Sequence, residues 1–304
     1  MSTLRKSFLI AMALFWGATA AQSQPILFGA FANQDGNISQ QDMLDLEAQV
    51  GRTLDIDNNY CLWAWSASDT CNTRAQWDVT SGRIPMISWK VQQAGGGCAK
   101  PNEIIHGFYD RQLEAQAQAV AALGGRVMIR FFYEFNVAGS AQVKCFFAHS
   151  KDPAGDFVAA WQHVHDVFTA NGAVNAQWIW CVTPGFFNKA DWKNYLPGSG
   201  WVDWIAIDTY NQNAQVKGFS FGSFYTATLP FGLPLMVAET GAFPDANLNP
   251  DAQTKWLESA HLRLSRDFPA VQAFVYFDSD PGNDYRLSTG ISAFAAMVND
   301  SAFH

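Results

Sequence analysis

From residue 25 onward one pattern recurs eight times: a short apolar run, a polar loop, then a longer amphipathic segment. The runs occupy 26–31, 54–63 (the weakest), 84–89, 127–134, 177–182, 202–208, 235–239 and 271–277. Continuous apolar strands alternating with helices predict a parallel sheet covered on both faces. Eight of them predict closure into a barrel, for which 304 residues are ample. The helices between the runs carry start and stop signals. Ser39 with Asp42 makes a capping-box pattern, Asp152-Pro153 opens 157–168, and Asn249-Pro250 opens 252–264. Asn171-Gly172 and Gly124-Gly125 read as C-terminal stops. The alternative, an open doubly wound sheet, lacks a glycine-rich phosphate turn after its first strand, since Phe28-Gly29-Ala30-Phe31 is no such motif. The expected fold is therefore α/β, a single (β/α)8 TIM barrel.

The first twenty residues stand apart. Arg5 and Lys6 precede an apolar run, and Ala18-Thr19-Ala20 reads as a cleavage site, so 1–20 is expected to be a signal peptide and 21–304 the barrel domain. The run is too short to span a bilayer, so no membrane association is expected once the signal is removed, and the mature protein is expected in the periplasm or outside the cell. The formal net charge of −8 becomes −10 without Arg5 and Lys6, which excludes nucleic acid as an expected partner. Charged residues make up 15% and aromatics 14%, with 12 Trp, a balance that suits flat apolar faces offered to a neutral ligand such as a sugar ring. Export permits disulfides. Cys181 lies inside an apolar run and reads as a buried free thiol. Cys61 with Cys71 and Cys98 with Cys145 are the simplest pairing of the other four, although four cysteines allow three pairings.

In a barrel of this kind the site gathers at the carboxyl ends of the strands. Glu134 and Glu239 end the fourth and seventh runs. Cleaving a glycosidic bond needs one carboxylic acid to protonate the leaving oxygen and one carboxylate to attack or to activate water. Two strand ends facing each other across a barrel mouth can hold such a pair about 5 to 5.5 Å apart, the separation of a retaining enzyme. Arg130, four residues before Glu134, is expected by alternation to point to the same face. Buried there, it needs a carboxylate partner: Glu239, which it would hold ionised, or alternatively Asp208. Other candidates are weaker. His163 and His165 face different sides of a helix and make a poor metal pair. Gly95-Gly96-Gly97 reads as a flexible loop. Asp203 and Asp208 are expected to cap or to pair, not to hold a metal, and neither metal nor cofactor is expected.

Three segments together carry a family resemblance. Arg130-Phe131-Phe132-Tyr133-Glu134-Phe135-Asn136 resembles the Arg-x-x-His-Glu-x-Asn motif of glycoside hydrolase family 26. The stretch from Tyr195 to Tyr210 resembles that family's sixth-strand signature, and Pro234 to Gly241 its nucleophile segment. The order and spacing match from the first strand to the eighth. The family consists of (β/α)8 retaining endo-glycanases, mostly β-1,4-mannanases, with some acting on mixed-linkage β-glucan or β-1,3-xylan. The resemblance implies Glu134 as acid/base, Glu239 as nucleophile, Arg130 and Tyr210 as its supports, Asn136 as a shaper of the site, and Trp89 as a pocket wall. Trp180 is a second strand-end indole that could stack on sugar.

Two positions depart from the family. Its histidine before the acid/base is Tyr133 here, and the histidine after the third-strand Trp is Lys90; both belong to the part that reads the reacting sugar. The eighth run ends Tyr276-Phe277-Asp278 without the Trp often found under the sugar, so Phe277 or Tyr276 is expected to take that place. The resemblance thus implies a monomeric retaining endo-β-glycanase whose partner is a β-1,4-linked polysaccharide: mannan, mixed-linkage glucan or exopolysaccharide. The rival expectation is a catalytically inactive carbohydrate-binding barrel.

Overall fold

A computed structural model describes residues 25–34, 36, 39–189, 191–211, 221–243 and 251–304. The expected signal peptide and the helix-start signal at 249–250 lie outside the described residues. Eight strands form one closed parallel barrel in sequence order: β1 (Leu27–Asn33), β2 (Ile56–Cys61), β3 (Ile84–Trp89), β4 (Val127–Phe131), β5 (Ala176–Val182), β6 (Trp204–Asn211), β7 (Leu235–Ala242) and β8 (Val271–Ser279). The helices that cover it include α1 (Gln40–Val50), α2 (Thr70–Thr80), α3 (Pro101–Ile105), α4 (Asp110–Ala122), α5 (Ala141–Phe146), α6 (Pro153–Ala170), α7 (Gly222–Thr228), α8 (Ala252–Arg266) and α9 (Ile291–Val298). The (β/α)8 expectation holds.

Local signals explain several boundaries. Ser39 and Asp42 close a reciprocal capping box on α1, and Asp152 accepts from the Gly155 amide to start α6. Gly172, at φ 86°, turns the chain off the end of α6 in a conformation that disfavours a side chain. Closure of the barrel between β1 and β2 depends on Gly29. A Cβ there would lie 2.5 Å from the Ile56 carbonyl oxygen, so any side chain would push the two strands apart.

Period-2 alternation separates two cores. Inside the barrel, Ile56, Met86, Met128, Ile179, Cys181, Ala206, Met236, Ala273 and Val275 pack against one another. Residues of opposite parity, such as Phe28, Trp89, Phe131, Trp178, Trp180 and Phe274, fill the layer between sheet and helices. That outer layer absorbs most of the 12 tryptophans: Trp63, Trp65, Trp89, Trp161, Trp178, Trp180, Trp192 and Trp256 are buried in it. The disulfides pair Cys61 with Cys71, fastening the end of β2 to α2, and Cys98 with Cys145, while Cys181 is a buried free thiol. No helix among the described residues is long and apolar enough to cross a membrane.

Candidate active site

At the carboxyl end of the barrel an arginine lies at the centre of a buried polar network. Arg130, on β4 and inaccessible to solvent, donates through Nε to Ser88 Oγ at 2.9 Å, and Ser88 in turn donates to Asn58 Oδ1. Its Nη1 reaches both oxygens of Asp208, at 2.8 and 2.9 Å, and its Nη2 binds Glu239 Oε1. The two partners weighed from sequence are thus both engaged. This fork-shaped donor meets two carboxylates at once, a geometry open to arginine and not to lysine.

Glu239 reaches this network because β7 is irregular. Leu235 and Val237 belong to the outer layer, so strict alternation would send Glu239 outward too. Register with β6 shifts between Ile207↔Val237 and Asp208↔Glu239, and the extra residue, Ala238, turns the glutamate into the barrel mouth. The strand also continues to Ala242, so the glutamate does not end it as the apolar run implied. Beyond Arg130, Glu239 accepts from Tyr210 at 2.7 Å on Oε2 and from Tyr60 at 2.5 Å on Oε1. Burial, reinforced by the charge of Glu239, pushes both phenols well above their usual range, so they stay protonated and can only donate to the carboxylate.

Glu134 arrives by a different irregularity. β4 stops at Phe131, and the chain enters a turn in which Phe132 (φ 42°) and Glu134 (φ 53°) take left-handed conformations. Each costs roughly 1 to 3 kcal/mol for a residue with a side chain. The turn is tied on both sides: the Phe132 amide donates to the Trp89 carbonyl at 2.8 Å and the Glu134 amide to the Cys181 carbonyl at 3.2 Å. Asn136 fastens its far end, donating to Thr183 Oγ1 at 2.7 Å and accepting from the Thr183 amide at 3.1 Å. The turn, and not the alternation expected from Arg130, aims Glu134.

Glu134, Asp208 and Glu239 each present a carboxylate oxygen within 4.8 Å of the others. Burial, aided by the negative charge of Glu239 and opposed by Arg130, pushes Glu134 up to about 7. Three carboxyls beside one guanidinium cannot all carry charge cheaply: burial, opposed by Arg130, also pushes Asp208 well above the usual carboxylate range, and Glu134, at about 7, is a raised carboxyl that lines the open cleft beside it. The site thus sets a carboxyl raised to about 7 beside a second one bound by a guanidinium and two phenols. An open cleft of about 450 Å³, lined by Glu134, Val137, Thr183, Pro184, Asp208 and Tyr210, leads to it.

The remaining expected residues divide. Tyr133 sits beneath the guanidinium, with the Arg130 Cζ 4.2 Å from its ring centroid. Lys90 reaches into the mouth, its ammonium 5.4 Å from the Tyr60 ring. Burial lowers its pKa, with Glu239 pulling it up and Arg130 adding to the fall. Phe277 stacks on Phe31 at 5.2 Å and stands edge-on to Tyr210, forming an aromatic floor beside Glu239. Tyr276, its alternative, faces the helices, its hydroxyl engaged by Gln253. Trp89 and Trp180 are corrections. Ser88 and Cys181 face inward, so their neighbours Trp89 and Trp180 must face out. Trp89 stacks on Trp63 at 5.3 Å and donates to the Trp63 carbonyl, and Trp180 donates to the Tyr195 carbonyl. Neither indole lines the mouth.

Sequence reasoning missed Tyr60, although alternation from Ile56 through Asn58 points it inward. It also missed that the Cys181 thiol donates to Asp208 at 3.1 Å, making it part of the site's floor. Asp203, by contrast, caps the edge of β5 at the Trp178 amide.

No family model matches the chain. Endoglucanase H of Acetivibrio thermocellus is 27% identical over 81% of this chain; the chain spans about a quarter of that relative, 27% of its length. Among solved structures, the fold matches GH26C from Muricauda sp. MAR_2010_75 with a TM-score of 0.67 at 14% identity, covering 92% of this chain and 87% of that one. It matches the GH26 domain of an endo-beta-mannanase/endo-beta-glucanase from Prevotella bryantii with a TM-score of 0.64 at 18% identity, covering 92% and 90%. For the Bacillus subtilis mannanase BCman the TM-score is 0.64 at 17% identity, covering 88% and 85%. The Muricauda and Prevotella neighbours carry in their names the family label that the three motifs resemble, the Bacillus neighbour is a mannanase, and the curated relative is an endoglucanase.

Proposed function

We propose that this barrel is a glycoside hydrolase of the family 26 type, cleaving a β-1,4-linked polysaccharide with net retention. The observation that carries the proposal is the close Glu134–Glu239 pair, in which one carboxyl is raised to about 7 and the other is bound by a guanidinium and two phenols. Nearest oxygens within 4.8 Å suit the separation of about 5 to 5.5 Å of a retaining pair better than the wider spacing of an inverting one. Glu239 attacks the anomeric carbon while Glu134 delivers its proton to the departing glycosidic oxygen. Formation of the ester removes the negative charge that held the proton on Glu134, so its pKa falls. The resulting carboxylate then takes a proton from the water that releases the sugar, and the proton is restored for the next cycle.

The endoglucanase relative and the mannanase neighbours support a β-glycan substrate. We assign mannan-type or mixed-linkage glucan chains, read at the reacting sugar by Lys90, Tyr133 and Phe277. The disulfides are compatible with a secreted or periplasmic protein, acting as a monomer.

A reducing-end assay on mannan, mixed-linkage glucan and cellulose tests the activity. New reducing ends from the wild type, none from Glu239→Ala, and recovery with azide to give the inverted glycosyl azide are expected. Full activity in Glu239→Ala would sink the assignment. Polysaccharide binding without cleavage by the wild type would favour the carbohydrate-binding barrel instead.

A further inference from the structure

The two oxygens of Glu239 are not held alike. Oε1 accepts from both the Arg130 guanidinium and the Tyr60 hydroxyl, whereas among the described residues Oε2 accepts from Tyr210 alone. We propose that Tyr60 is a positioning residue which, with Arg130, holds Oε1 back as the spectator oxygen, so that the bond to the anomeric carbon forms through Oε2. The inference rests on the reading of Glu239 as the nucleophile.

The chemistry of the ester explains the division. An oxygen bound by a cation and a phenol has its lone pairs engaged and is the weaker nucleophile. Among the described residues Oε2 has one donor, Tyr210, which lines the same cleft as Glu134. When C1–Oε2 forms, the glycosidic C1–O bond breaks with its electron pair passing to the leaving oxygen, which takes the proton from Glu134. Oε1 then becomes the ester carbonyl oxygen, still a good acceptor, and keeps both Arg130 and Tyr60. Oε2 becomes the alkoxy oxygen, a poor acceptor, and loses only Tyr210, whose hydroxyl is freed to turn toward the sugar. Attack through Oε1 would instead leave a guanidinium and a phenol, both buried, facing an oxygen that no longer accepts well.

Tyr60 is built to hold this position. Its ring stands edge-on to Phe31 at 4.8 Å and to Phe277 at 6.2 Å, with Tyr133 at 5.7 Å on another side. The next residue, Cys61, is bridged to Cys71 on α2 and lies in register with Trp89 of β3. The hydroxyl is thus aimed by a strand fixed on both sides, and burial keeps its proton in place.

The test uses wild type and Tyr60→Phe, which keeps the ring and removes only the hydroxyl. Each is treated with 2-deoxy-2-fluoro-β-glucosyl and 2-deoxy-2-fluoro-β-mannosyl fluorides, labelling is followed by intact mass, and the adduct is solved crystallographically. The expected wild-type adduct is an ester through the Glu239 oxygen nearer Tyr210, with the carbonyl oxygen accepting from Arg130 and Tyr60. Tyr60→Phe, assayed where it is fully folded, should label about tenfold or more slowly with KM unchanged, since a hydrogen bond to a charged group is lost. An ester through the other oxygen, or labelling at the wild-type rate, overturns the role of Tyr60 and leaves Glu239 as nucleophile. A wild type that neither labels nor releases reducing ends overturns the hydrolase reading and this one with it.

Discussion

Glu134→Gln should make the protein more stable in alkali and leave it almost unchanged in acid. Glu134 is raised from 4.5 to about 7 by burial and by the charge of Glu239. A carboxyl raised on folding contributes its stability in full below the unfolded value, because the folded state then holds the proton more tightly. That contribution is lost as pH rises from the unfolded value through the folded one. The full interval corresponds to about 3 kcal/mol at about 1.4 kcal/mol per pH unit. Solvent at the open edge of the cleft screens part of it and leaves about 2 kcal/mol. Glutamine is neutral at every pH and isosteric with the protonated acid, so it carries no such loss. Urea unfolding of wild type and variant at about pH 4 and about pH 8 measures the difference. The two should agree within a few tenths of a kcal/mol in acid, with the variant ahead by about 2 kcal/mol in alkali. The same ionisation sets the alkaline limb of the wild-type kcat/KM profile, which should bend near 7. Parallel stability curves for the two proteins across that range would refute the account of Glu134 as a proton-holding acid.

Arg130→Met should cost about 3 to 5 kcal/mol in urea unfolding and abolish turnover, because Asp208 and Glu239 lose the one guanidinium they share; a stable, active variant would contradict the network. Trp89→Phe should lower stability by about 1 to 2 kcal/mol through the lost bond to the Trp63 carbonyl while leaving KM unchanged. A tenfold rise in KM at unchanged stability would return the indole to the sugar site. Opening the Cys98–Cys145 bridge, with a sequence separation of 47, should cost about 4 kcal/mol, and opening Cys61–Cys71, with a separation of 10, about 3 kcal/mol. Activity of the remaining folded protein should fall further in the second case, because Cys61 follows Tyr60.

Which features were legible from sequence follows from what periodic rules can carry. Strand count, the (β/α)8 closure and the strand β3 boundaries came from repeated apolar runs, whose burial is a property of many residues at once. Alternation, applied strictly from Ser88 and Cys181, also places Lys90 inward and the two tryptophans outward. Those indoles were misread because an aromatic at a strand end was weighed by type and not by parity. Tyr60 was overlooked for the opposite reason: its parity was right, but its strand, Ile56–Cys61, is rich in polar residues and drew no attention as a wall of the site.

The two catalytic candidates themselves lie where periodicity fails. An extra residue at Ala238 rotates Glu239 inward, and two left-handed residues carry Glu134 off the end of β4. Neither device has a sequence signature as plain as an apolar run, since the bulge has no glycine and the turn uses Phe132 and Glu134 where glycine would be cheaper. Their cost is met by the barrel around them. The Trp89 and Cys181 carbonyls accept the amides of the turn, and Arg130 binds Glu239 across the mouth to Asp208. Regular strands could deliver side chains only at fixed intervals around the barrel. Two carboxylates within 4.8 Å, from strands three apart in barrel order, require that both depart from those intervals. The irregular backbone is therefore what brings the two carboxyls together for the proposed roles of acid and nucleophile. The outer aromatic layer, including Trp89 and Trp180, gives that irregularity a rigid foundation.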